Sequence, residues 1–78
     1  MISNLNRSMQ RFVVTDMGNS ENNGKFEFLN DAIHWAKYIA ESSSSVILIL
    51  DSEARAGEIC LWEIDREKMQ AVKLIVKK

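Results

Sequence analysis

Five apolar residues in succession, Val46-Ile47-Leu48-Ile49-Leu50, stand between the serine run Ser42–Ser45 and the polar pair Asp51-Ser52. A strand sends alternate side chains to opposite faces, so this run predicts a strand that is apolar on both sides. Such strands normally sit mid-sheet with both faces covered. A second run, Glu58-Ile59-Cys60-Leu61-Trp62-Glu63-Ile64, follows after the turn-like segment Ser52–Gly57. The short spacing predicts an antiparallel hairpin of 46–51 with 58–64.

Elsewhere the pattern is sparser. Arg11–Asp16 is rich in aromatic and β-branched residues and predicts a first strand. Met17–Gly24 reads as a loop, with Asn23-Gly24 as its turn dipeptide, and Lys25–Phe28 as a short antiparallel return. Asn30 is a good N-cap. Behind it Ala32, Ile33, Trp35, Ala36, Ile39 and Ala40 recur at helical spacing, with Asp31, His34, Lys37, Tyr38 and Glu41 mainly on the other side. Asp65–Lys68 suits a single turn, and Val72–Lys77 a last, lysine-bearing edge strand.

The expectation is therefore an α+β fold, β-(β)-α-β-β-β: a single domain over residues 1–78, with one helix packed on one face of a small, mostly antiparallel sheet. Residues 1–9 are expected to form a loose arm. If strand 11–16 lies beside 46–51, a crossover through the helix predicts that this pair is parallel.

Parity makes the sheet top-heavy in apolar residues. Ile47 and Ile49 point away from Val46, Leu48 and Leu50; Cys60, Trp62 and Ile64 point away from Ile59 and Leu61. One helix covers one face, and Ile47, Ile49, Cys60, Trp62 and Ile64 form the candidate interface on the other. A bare face on the order of several hundred Å² exceeds what monomers usually expose. The first expectation is a small protein–protein interaction domain that homodimerises through this face. The alternative is a small inhibitor or adaptor, of the size that phages and mobile elements carry, docking on a larger host protein complex. A nucleic-acid-associated accessory protein ranks third. The arm itself offers only Ile2, Leu5 and Met9 as cover.

Composition narrows these choices. The net charge is −1, and residues 1–41 carry four basic and five acidic side chains while 42–78 carry six of each. A nucleic-acid partner normally requires a basic surplus, and none is present. The single cysteine leaves no internal disulfide, which favours a reducing compartment. The longest apolar run is five residues, far below the ~20 that span a bilayer. With no signal-like N-terminal segment, the expected location is cytoplasmic and away from membranes, and Asn6-Arg7-Ser8 is then a chance match to a glycosylation sequon.

Candidate chemistry is thin. Gly18–Lys25 imitates a phosphate loop, but the glycine spacing is wrong, Phe26 follows the lysine, and Glu21 would repel phosphate. His34 is the only histidine; a dyad with Cys60 would set a mid-strand thiol against a solvent-side imidazole. Asp51, Glu53 and Glu58 lack the ligand spacing of a calcium loop. No catalytic, metal or cofactor residues are assigned, and the expected protein is not an enzyme.

Overall fold

A computed structural model describes residues 10–55 and 60–74. The expected arm over 1–9, Glu58 and Ile59 of the second hairpin strand, and the end of the last strand past Leu74 lie outside the described residues. Strands β1 (Phe12–Asp16) and β2 (Gly24–Phe26) precede helix α1 (Leu29–Ala40), and strands β3 (Ile47–Asp51), β4 (Leu61–Asp65) and β5 (Gln70–Leu74) follow it. They form one antiparallel sheet in the order β2-β1-β3-β4-β5, with α1 across one face. The α+β fold with one helix on one sheet face is thus present.

The expected parallel pairing of strand 11–16 with 46–51 is corrected: β1 and β3 are neighbours but antiparallel, with Val14 opposite Ile49. The helix leaves the sheet from β2, not from β1. A crossover makes its own two flanking strands run the same way. Here those are β2 and β3, and β1 lies between them, antiparallel to both.

The core is the space between sheet and helix. Phe12, Val14, Ile47, Ile49, Trp62 and Ile64 enter it from the strands, and Ala32, Ala36, Ile39 and Ala40 from α1. The alanines let the helix axis approach the sheet, and the large side chains come mainly from the sheet. Phe12 and Trp62 meet edge-on, with ring centroids 6.3 Å apart, an arrangement aromatic pairs favour. Helix α1 starts one residue before the expected cap: Phe28 occupies the cap position without a side-chain hydrogen bond, and Asn30 lies in the first turn.

The loop 17–23 is built on Asp16. This carboxylate is buried at the end of β1 and accepts hydrogen bonds from Asn22 Nδ2 (2.9 Å) and the Gly18 N–H (2.9 Å). Its own N–H donates to Asn23 Oδ1 at 2.8 Å. Asn23-Gly24 does not make the turn: Asn23 is extended (φ −65°, ψ 147°) and Gly24 opens β2. The reversal comes from a 3-10 turn at Ser20–Asn22, capped by Asn19. Gly18 is needed for a different reason. A Cβ there would lie 1.8 Å from Ser45 Oγ, because the loop packs directly on the serine connector leading into β3.

That connector has a second clamp. Arg66, in the turn between β4 and β5, donates from Nε (3.1 Å) and Nη2 (2.6 Å) to the Ser43 carbonyl and from Nη2 to the Ser45 carbonyl. The turn reverses through Met69 in the left-handed region (φ 51°), and Asp65 Oδ1 accepts the Glu67 N–H at 3.0 Å.

Candidate functional site

The side of the sheet facing away from α1 carries the opposite parity from the core. Register places Lys25, Val13, Leu50, Leu61 and Leu74 in one row across all five strands. A second row runs Thr15, Leu48, Glu63, Val72, and a third pairs Asp65 with Gln70. Six apolar side chains are therefore contiguous on this face: Val13, Leu48, Leu50, Leu61, Val72 and Leu74. Leu50 and Val72 are 42% and 43% exposed, the other four are half-buried, and no described element packs over them. Cross-strand neighbours on one face lie about 5 Å apart, so the six form a continuous surface.

The face proposed from sequence is thus inverted. Ile47 and Ile49 are fully buried, and Trp62 and Ile64 are 7% and 3% exposed, all four beneath α1. Cys60, just before β4 and half-buried, is a free thiol; its carbonyl accepts the Asp51 N–H at 2.8 Å. None of the four strand residues is open to a partner. The residues sequence reading missed are Leu48, Leu50, Leu61, Val72, Leu74 and Val13. The signal was present in β4, where Leu61 alternates with Glu63 and Asp65 while Trp62 alternates with apolar Ile64.

Asp51 lies on the buried side as well. It shares the helix-side parity of Ile47 and Ile49, and a carboxylate there argues for a solvent face. The chain buries it instead. Arg11 donates to it through Nε (2.8 Å) and Nη2 (2.9 Å), and the Glu53 N–H adds a third bond at 3.0 Å. The paired guanidinium also lies 5.1 Å from the Phe12 ring centroid. The hydrogen bonds from Arg11 hold the Asp51 carboxyl below its ordinary pKa, against the opposing effect of burial. Asp16 is lowered likewise, first by the Asn22 amide and then by the Gly18 N–H. Both carboxylates are hydrogen-bonded into the fold. Glu53 is exposed, and among the described residues no group of three or more His, Cys, Asp or Glu is placed to hold a metal ion.

A second surface lies on the helix layer. Phe26, Asp31, His34, Trp35 and Tyr38 line an open groove of about 630 Å³. Trp35 donates its indole N–H to the Asn22 carbonyl at 2.7 Å, and its ring stacks beside Tyr38 with centroids 5.5 Å apart and planes 29° from parallel. His34 is on the solvent side of the helix, as its spacing predicted.

Searches against family models, curated proteins and solved structures find no match to this chain. Among the described residues no helix is long and apolar enough to cross a membrane.

Proposed function

We propose that this chain is a small protein–protein interaction domain whose partner is a second copy of itself, docked through the open sheet face. The observation that carries the reading is the apolar row Val13–Leu50–Leu61–Leu74, contributed by four adjacent strands. Sheets pack face to face at about 10 Å through interdigitating apolar side chains, and this face has the composition to do so.

Self-pairing is favoured over a foreign partner by the layout of the face. β3 is the third of five strands, and its Leu48 and Leu50 occupy the middle of the patch. A twofold axis along β3 lays β1 and β2 of one copy over β4 and β5 of the other. Val13 then meets Leu61, and Lys25 lies over Leu74 of the second copy, where its aliphatic stem covers apolar surface. One operation therefore matches the apolar row Val13–Leu50–Leu61 to itself.

Size-exclusion chromatography with light scattering tests the reading. The expected mass at high micromolar concentration is twice the 8.9 kDa of one chain, reduced to one chain by Leu50→Lys. A wild-type protein that remains a monomer throughout the micromolar range rejects self-pairing.

A further inference from the structure

We propose that the aromatic groove on α1 binds the guanidinium of an arginine carried by an extended segment of a partner protein. The groove lies on the layer opposite the open sheet face, so this site is independent of the dimer.

Three observations converge on that ligand. First, the groove presents fixed π surface. The Trp35 indole N–H is held by the Asn22 carbonyl at 2.7 Å, which pins the ring against rotation. Tyr38, 66% exposed, stacks on Trp35 and offers its outer ring face to a ligand, and Phe26 closes one side with its ring centroid 6.5 Å from that of Trp35. Arginine stacks flat on such surfaces, and cations are attracted to their faces.

Second, the groove carries a carboxylate. Asp31 stands one helical turn before Trp35 on the same face of α1, and among the described residues it makes no ion pair. A planar guanidinium on the Tyr38 face keeps its N–H fork free to reach this carboxylate, a geometry a proline ring lacks. Third, the chain already shows this combination internally: Arg11 is bound in bidentate fashion by Asp51 while it lies 5.1 Å from the Phe12 centroid. The groove offers the same two partners, carboxylate and ring, on the outside.

The backbone of the segment has a place to run. β2 is an edge strand whose one described neighbour is β1, and Phe26, its last residue, lines the groove. An extended chain pairing along β2 passes its side chains over the groove.

The test is titration of the ¹⁵N-labelled protein with a short Gly/Ser peptide containing one arginine, followed by NMR. The Trp35 indole resonance and the amides of residues 31–38 should shift in a saturable way in the millimolar range, while the buried Trp62 indole stays in place. The same peptide with citrulline, which keeps the shape and loses the charge, should bind about fivefold or more weakly. Asp31→Asn should weaken the arginine peptide by roughly two- to fivefold. Tyr38→Ala, at an exposed position, should weaken it while leaving the fold's amide spectrum in place. The Leu50→Lys monomer should bind as the wild type does. Equal affinity for the citrulline peptide, an unmoved Trp35 indole, or a response to tetraproline in place of arginine would each overturn the proposal, the last by making the groove a polyproline site.

Discussion

Leu50 and Ile49 are consecutive residues of β3 with opposite fates, and replacing each separates the two faces of the sheet. Leu50 is 42% exposed, roughly 75 Å² for a leucine, and covering that area is worth about 2 kcal/mol at about 25 cal/mol per Å². Because Leu50 lies beside the proposed twofold axis, one substitution acts in both copies. Leu50→Lys therefore removes about 4 kcal/mol from association, roughly a thousandfold in Kd, and two like charges then face each other across the axis. Within one chain the same change disturbs only the cross-strand contacts with Val13 and Leu61, about 0.5–1 kcal/mol. Ile49 is completely buried, and Ile49→Ala removes about 2–5 kcal/mol from folding. A chain of 78 residues holds a total of roughly 4–12 kcal/mol, so that loss unfolds a large share of the molecules on mild heating. Sedimentation velocity between low and high micromolar concentration, paired with thermal melts read by circular dichroism, measures both quantities. The expected result is a folded monomer for Leu50→Lys and a destabilised protein for Ile49→Ala. A Leu50→Lys protein that still weighs two chains refutes the interface, and one that melts as early as Ile49→Ala refutes the assignment of the open face.

Other consequences follow from the polar anchors. Asp16 and Asp51 both have pKa values below the ordinary 3.8 in the folded protein; a carboxyl so lowered adds stability above its unfolded pKa and loses it as pH falls through the folded value. The melting temperature should therefore be flat from neutrality to about pH 5 and fall below about pH 4, less steeply in Asp51→Asn; a flat profile down to pH 2.5 contradicts this. Arg11→Ala should cost about 1 kcal/mol in chemical denaturation and not the 3–5 of a fully buried pair, because the Arg11 side chain is 40% exposed. Gly18→Ala should destabilise by about 1–3 kcal/mol, because the new Cβ meets Ser45; Ser45→Gly in the same chain should restore much of the loss, and the absence of any rescue places the strain elsewhere.

The elements were legible because their signals are local. The 3.6-residue recurrence of Ala32, Ala36, Ile39 and Ala40 marks a helix whatever it packs on, and the two apolar runs around Ser52–Gly57 mark a hairpin whose pairing Ile49–Trp62 is present. The direction of β1 against β3 depends on which strand hands the chain to the helix. The short return expected at Lys25–Phe28 is present as β2, Gly24–Phe26, and because it hands the chain to the helix, the expected parallel pair is antiparallel. The loop was equally hard to read. Asn23-Gly24 has the composition of a turn, but Asp16, six residues before Asn22, takes the loop's amides and moves the reversal upstream.

The face of the sheet was the costliest misreading, and its cause is specific. Ile47/Ile49 and Leu48/Leu50 are equally apolar, so β3 alone cannot orient the sheet, and the orientation must come from its neighbours. Two polar signals then compete. Asp16 and Asp51 end the helix-side rows of β1 and β3 and argue that this side is wet; Glu63 and Asp65 argue the same for the other side through β4. The first pair is satisfied by groups distant or turned back in sequence: Arg11 lies forty residues from Asp51, and Asn22 folds back onto Asp16. In the second pair, Asp65 accepts only from the exposed turn amides of Glu67 and Lys68, and Glu63 stands in the row of Leu48 and Val72. A carboxylate thus orients a strand only once its partner is known. The open face that results keeps six apolar side chains from all strands but β2, with Lys25 at the β2 edge and Glu63 set among them between Leu48 and Val72. A surface meant only for water has no use for that arrangement, since any one of Leu48, Leu50 or Leu61 could be polar without disturbing the helix-side core. Their retention on the solvent side of a fold this small is the physical argument for an interface there.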